Sequence, residues 1–400
     1  MQETLHFDLT VNQLHIMRSE MFNRTLAVAG MAALVALPLA ARADDAPAAP
    51  AAPAAPLSPL GKILDGTGIT VSSYLDLAYS HANKNVEAYS DRVFDAQNDS
   101  MTLHQAGLQI AKQPKEGFGG LINVTAGKDS QVIASYPYGA GSQFDVTQAY
   151  GQYATGALTV IAGKFTTLHG TEVIWAPSNN NYSRSILFGS VPFTHTGVRA
   201  TYVASDTVTV IGGVNNGWDQ LSDSNKTKTI ELGAIFTPIK PLTVIISDYV
   251  GKESATGLID PAATQGTRNS FNLVASYAVS DPLTVGIEYL NVSQSDFATS
   301  TGTTKAKYNG FAGYLTYMFT PAYRLALRAE SLNDKDGFRF GVNDTKYSEF
   351  TATFSYLATD NFEVRGELRG DKSSNNYFKD FSGSTSKSLF TYGVEALFKF

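Results

Sequence analysis

The chain has 400 residues, no cysteine, and 30 basic against 36 acidic side chains, for a formal charge of −6. Without cysteine there is no disulfide framework, thiolate metal centre or cysteine nucleophile, and the mild acidity argues against nucleic acid, which favours a basic stripe. Tyr and Phe (20 and 23) far outnumber Trp (2), and glycine reaches 34; this balance suits membrane-interface rings around a wetted interior, although a secreted β-sandwich could share it.

The N-terminal region reads as an export signal. Arg24 precedes an apolar stretch from Leu26 to Ala41, and Ala41-Arg42-Ala43 offers small residues for cleavage, with Asp44 as the first mature residue. Pro38 and the short apolar length argue against a retained membrane helix. Residues 1–20 are neither apolar nor basic enough to belong to the signal, so Met21 is the expected start, with an unusually long leader as the alternative. Residues 44–67 form a linker, almost entirely Ala and Pro as far as Pro59, and are expected to be a stiff periplasmic tether.

From Gly68 onward, alternating segments are joined by connections that are short and long by turns. The short ones, Lys112–Gly117, Ala154–Ala157, Ala204–Thr207, Pro238–Pro241, Ser280–Pro282, Thr320–Tyr323 and Thr359–Asn361, carry Pro, Gly, Asp and Asn, as tight reversals require. The long ones are polar and run near residues 80–100, 127–143, 166–194, 218–226, 252–268, 294–306, 333–346 and 372–387. Short periplasmic turns and long extracellular loops are the asymmetry of a membrane barrel. The count predicts an all-β, antiparallel up-and-down transmembrane barrel over 68–400 with about sixteen strands, uncertain by two, wide enough for an aqueous channel.

Alternation also assigns faces. In Leu283–Tyr289, Leu283, Val285, Ile287 and Tyr289 are expected to meet lipid, with Thr284, Gly286 and Glu288 inside. In Thr229–Phe236, Glu231 points inward; in Phe362–Arg369 the inward row is Glu363, Arg365, Glu367 and Arg369. Arg199, Arg328 and Glu330 are likewise inward. A charge facing lipid near the midplane costs about 2–4 kcal/mol, which enforces this parity. The expected pore lining is therefore Arg199, Arg328, Arg365 and Arg369 with Glu231, Glu288, Glu330 and Glu367. Asp248 breaks the pattern, falling on the nominal lipid face, which places it near the extracellular rim or at a register shift.

The longest connection, Thr166–Thr194, is the third long loop, and Glu172, Arg184, Trp175, Tyr182, Phe188 and Phe193 equip it to pack on a barrel wall. It is expected to fold inward as a constriction bearing Glu172 and Arg184; lying over the mouth is the alternative. The last strand places Tyr392, Val394, Ala396, Phe398 and Phe400 on one face, with Glu395 and Lys399 on the other. Tyr392, Phe398 and Phe400 read as a terminal assembly signal, and the strand is expected to close against Ile69–Leu77.

The runs Gly163–Ile174, Asn181–Ser185, Pro192–Arg199 and Asn215–Asp219 resemble the OmpL-like group of β-barrel porins. The resemblance covers most of the mature chain, from Ile69 to Phe400, and is most specific over 163–219. It implies a porin-like channel of the bacterial outer membrane with no family-wide substrate.

Other chemistry is poorly supported. The six histidines form no metal pair, although His169 and His195 bracket the third loop. There is no Gly-x-Ser-x-Gly motif for an outer-membrane lipase. Asn333–Gly337 lacks the ligand spacing of a calcium loop and reads as an exposed turn, and Tyr138-Gly-Ala-Gly141 reads as a loop tip. The sequence therefore points to passive diffusion of small hydrophilic solutes or ions, with no enzyme activity, cofactor or metal. The expected partners are outer-membrane lipid and lipopolysaccharide, the barrel-assembly machinery, the solutes themselves and, as the candidate assembly, a homotrimer. The alternative is a closed barrel acting as an adhesin or envelope-binding protein through its extracellular loops.

Overall fold

Side chains that alternate between oil and water make strands, and strands in lipid must bond every edge. The structure, a computed structural model, describes Leu64 and residues 66–400 apart from 85, 87, 88, 90, 138–140, 255–264 and 300–301. The export signal, most of the linker and part of the tip expected at Tyr138–Gly141 lie outside the described residues.

Eight strands make the first half of the wall: β1 Thr70–Ala82, β2 Ser100–Lys112, β3 Gly117–Ala126, β4 Phe144–Thr155, β5 Leu158–Thr166, β6 Thr194–Ser205, β7 Val208–Asn215 and β8 Thr229–Ile239. The second half is β9 Leu242–Ser254, β10 Gln265–Ser280, β11 Leu283–Thr299, β12 Gly302–Thr320, β13 Tyr323–Asp336, β14 Asn343–Thr359, β15 Phe362–Ser373 and the last strand. A short ribbon, β16 Phe378–Lys379 with β17 Thr385–Ser386, precedes that last strand, β18 Ser388–Lys399. Among the described residues each wall strand pairs antiparallel with its sequence neighbours, and β18 closes on β1 into one sixteen-stranded barrel.

Seven tight reversals lie at one end of the barrel and the long connections at the other, as the turn residues predict. Three long connections are markedly shorter than expected, the one near 252–268 because β9 and β10 stay paired as far as Ser254 and Gln265. β11 and β12 continue as a paired ribbon to Thr299 and Gly302, and β13 and β14 run to Asp336 and from Asn343. The polar residues in those stretches face water on strands that rise above the membrane; polarity alone does not distinguish a wet strand from a loop. Asn333–Gly337 is accordingly not an exposed turn. Asp334 is buried and accepts the N–H groups of Arg339 (3.0 Å) and Phe340 (2.8 Å), shaping the bend beyond β13.

Face parity follows the alternation. Glu231 is fully buried, whereas its neighbours Ile230 and Leu232 are 43% and 55% exposed on the outer surface. Rings mark one edge of the apolar band near the tight turns: Tyr323 stacks with Phe354 and Tyr356, and Phe362 with Phe398. Phe271, Tyr289, Phe311 and Phe350 mark the other edge. Beyond Tyr289 the polarity reverses, with Asn291 and Ser293 outward and Leu290 and Val292 fully buried inside. Asp248 pairs with Phe271 at this upper edge and accepts the Asn269 side-chain amide (3.0 Å). Its place is thus a rim position; the β9 ladders run through it without a shift.

The seam joins Leu75 to Phe398, Leu77 to Ala396 and Tyr79 to Val394 on the outward face. Phe400 extends it, exchanging backbone hydrogen bonds with Ser73 (2.8 and 3.3 Å). Deleting Phe400 removes both bonds and an exposed ring from the pairing that closes the barrel. The expected result is impaired folding, measured as loss of the compact, heat-modifiable gel band, with unchanged ion selectivity in the fraction that folds.

Candidate functional site

The connection between β5 and β6, residues 167–193 and here L3, lies inside the barrel, and its stretch 181–193 is buried throughout. A loop taken out of water must find partners for its backbone N–H and C=O groups. The inward charged rows provide them. Glu288 accepts from the Thr171 N–H (2.9 Å), and Glu367 from those of Tyr182 (2.8 Å) and Ser183 (3.0 Å). Glu330 accepts from Ile186 and Leu187. Arg199 donates to the Thr166 carbonyl (2.8 Å), Arg328 to that of Ser183 (2.7 Å) and Arg369 to that of Arg184 (2.6 Å). Arg365 reaches the carbonyls of Ala176 and Asn181, both at 3.4 Å.

The four wall arginines are also paired with carboxylates. Arg328 is a hub, donating to Glu349 (2.7 Å) on β14 and to Glu172 (2.6 Å) on L3. Arg365 pairs with Glu363 (2.6 Å) and Glu395 (3.0 Å), Arg369 with Asp371 (2.8 Å), and Arg199 with Glu231. Arg184 turns back on L3 itself, donating to the carbonyls of Tyr182 (2.8 Å), Val173 (3.0 Å) and Ile174 (3.2 Å). Both charged residues expected on the constriction, Glu172 and Arg184, are thus buried in the joint between loop and wall.

Uncharged residues that the sequence reading did not single out complete the joint. Gln105 donates to the Ile174 carbonyl (2.9 Å), Asn123 accepts from Trp175 (3.1 Å), Asn272 accepts from the Gly170 N–H (2.9 Å), and Tyr308 donates to the Ser190 carbonyl (2.6 Å). Inward parity was the available signal; without charge it did not separate them from other polar wall residues. Gly310 and Gly393 let the loop press on bare backbone. A Cβ on Gly310 would lie 2.7 Å from Leu187, and one on Gly393 2.9 Å from Tyr182.

His169 and His195 do come together at the loop base, but the Tyr249 ring lies against both, with centroids 4.7 and 4.3 Å away. His169 is hydrogen-bonded to the hydroxyls of Ser247 (2.8 Å) and Ser270 (2.9 Å), which occupy both of its ring nitrogens. Among the described residues no group of three or more His, Asp or Glu is placed to hold a metal ion.

Two further features close the extracellular half. Loops 83–99 (L1), 216–228 (L4), 337–342 (L7) and 374–387 (L8) send Val86, Tyr89, Trp218, Phe338, Phe340, Tyr377 and Phe378 inward. They pack with Ile186, Leu187 and Val191 of L3 and with inward Leu290, Val292, Tyr308 and Leu332 of the wall. Asp219 of L4 clamps the end of L3, accepting from the N–H groups of Phe193 (2.7 Å) and Thr194 (2.8 Å). Burial raises its carboxyl pKa to about 7. An acid raised in the folded state contributes stability below its unfolded pKa, near 4, that is lost as pH rises through 7. The melting temperature of native protein should therefore fall between pH 4 and 7 more steeply than that of Asp219→Asn; equal slopes would remove Asp219 from this role.

The fold is that of solved porins at low sequence identity. The outer membrane channel DcaP of Acinetobacter baumannii superposes with TM-score 0.58 and 14% identity, covering 84% of this chain and 99% of its own. The anion-selective porin from Comamonas acidovorans gives 0.57 and 12%, covering 83% and 99%. OmpT of Vibrio cholerae in its trimer form gives 0.57 and 13%, also covering 83% and 99%. Among curated proteins, none matches the chain significantly. Residues 68–400 match the family model described as "Putative beta-barrel porin-2, OmpL-like", so the chain belongs to this family of outer-membrane β-barrel porins.

Proposed function

We propose that the protein passes small hydrophilic solutes across the outer membrane by passive diffusion, through a lumen that L3 narrows and controls. The carrying observation is the position of L3, bonded to the wall along its length inside a barrel of channel width. On the turn side of L3 the inward residues Thr201, Thr243, Ser276, Thr284 and Thr316 are polar and reached by solvent, a vestibule suited to hydrated solutes. Arg199, Arg328, Arg365 and Arg369 are paired with carboxylates and Glu288, Glu330 and Glu367 are taken up by L3 N–H groups, so little bare charge is left on this stretch of wall and the reading includes weak discrimination by charge. A trimer form is described for OmpT of Vibrio cholerae, and we extend trimeric assembly to this chain as part of the proposal.

Planar-bilayer recording tests it. Small conductance steps are expected, with cation and anion permeabilities within a few-fold of each other by reversal potential. Folded protein that shows no steps, with or without L3, would overturn the channel reading. It would favour the second, a closed barrel that binds a partner through its outer loops, for which the apolar cluster under those loops is the specific support.

A further inference from the structure

The outer surface carries a charge pattern that conduction does not use. Above the apolar band, Lys307 of β12, Lys335 of β13, Lys346 of β14 and Lys372 of β15 are exposed on four adjacent strands. They face outward because the residues beside them in each strand face in: Ala306, Tyr308, Asp334, Thr345, Tyr347 and Asp371 are buried. Lys346 stands opposite Asn333, and Lys372 opposite Ser348, so no carboxylate faces either across the ladder. The acids at this level are Asp336, Asp344 and Asp296 in the β11 bulge, and Asp336 accepts the Lys307 backbone N–H (3.0 Å). With Lys305 continuing the row on β12, the face stays net positive.

Height decides what the row can meet. Lys307, Lys346 and Lys372 each lie four residues beyond the last large apolar outward residue, Phe311, Phe350 and Leu368. At ~3.4 Å per residue that is ~14 Å along the strand, or ~10 Å in height on a strand tilted by ~40°. This is the headgroup layer, where a lysine lays its stem along the wall and holds its ammonium in the polar zone. Neighbouring β10 and β11 present Asn269, Asn291 and Ser293 outward near this level, so the row is bounded on that side, with Lys252 of β9 the next outward lysine.

We propose that this lysine row binds the phosphate-bearing headgroup of the outer-leaflet glycolipid, holding the β12–β15 side of the barrel in anionic lipid. Ammonium groups near an anionic membrane surface add their attractions, so a row of them gains affinity multiplicatively.

The test uses purified barrel in detergent with lipid A, intact or enzymatically dephosphorylated, and native mass spectrometry to count bound lipid. Native protein should retain intact lipid A more than tenfold better than the dephosphorylated form, and Lys307→Gln/Lys335→Gln/Lys346→Gln/Lys372→Gln should lose that preference. The variant should keep the folded gel band and the native conductance, which separates lipid binding from the channel reading. Equal retention of the two lipids by native protein, which needs no variant, would overturn the proposal. So would an undiminished preference in the folded variant.

Discussion

Excising residues 171–191 and joining Gly170 to Pro192 through a short Gly/Ser linker should raise unit conductance about threefold or more, because a sixteen-stranded wall alone leaves a water-filled bore. The barrel should survive. Its ladders do not pass through L3, and Glu288, Glu330 and Glu367, which hold the loop's N–H groups in native protein, would become solvated instead of stranded in a dry joint. Liposome-swelling rates for sugars of increasing size should shift toward larger solutes in parallel. An unchanged unit conductance in the folded variant would mean that the constriction is set elsewhere, the apolar cluster beneath L1, L4, L7 and L8 being the next obstacle.

Arg328→Met should be the most damaging single substitution in the lumen. Arg328 is fully buried and divides its donors among Glu172, Glu349, Ser183 and Thr351, joining L3 to β13 and β14. Removing the cation leaves two carboxylates in a dry joint, and breaking a buried pair in this way costs about 3–5 kcal/mol. A lower midpoint in thermal unfolding and flickering conductance are expected, as the loop loses its middle anchor. Arg328→Lys should recover only part of the loss, since one ammonium cannot span the fork that reaches both carboxylates. Adding Glu172→Gln and Glu349→Gln to Arg328→Met should restore stability by discharging the stranded acids. Arg328→Met with native stability and quiet conductance would show that L3 is held without this hub.

Much of this is legible in the sequence. Strand faces such as Ile230, Glu231 and Leu232 could be assigned because lipid penalises an outward charge, and the turns could be placed because tight reversals need particular residues. The ends of L3 are legible to within one residue, Thr166 and Thr194 being the strand residues on either side of it. The upper wall was harder. In β11 and β12 the polarity reverses once the strands leave the membrane, so Asn291 and Lys307 face water outward while Leu290 and Tyr308 meet a dry interior. Alternation reports that two faces differ; it does not say which solvent each one meets.

The sequence by itself determined the barrel, the parity of its wall and the seam at Phe398 and Phe400, because these follow from local alternation and from the need to bond every edge in lipid. Only the tertiary structure decided what the inward charges do. Arg328, Arg365, Glu330 and Glu367 were legible as lumen residues, but their partners lie more than a hundred residues away on a loop that crosses the bore. Such contacts depend on where L3 comes to rest, and no periodicity within a strand encodes that.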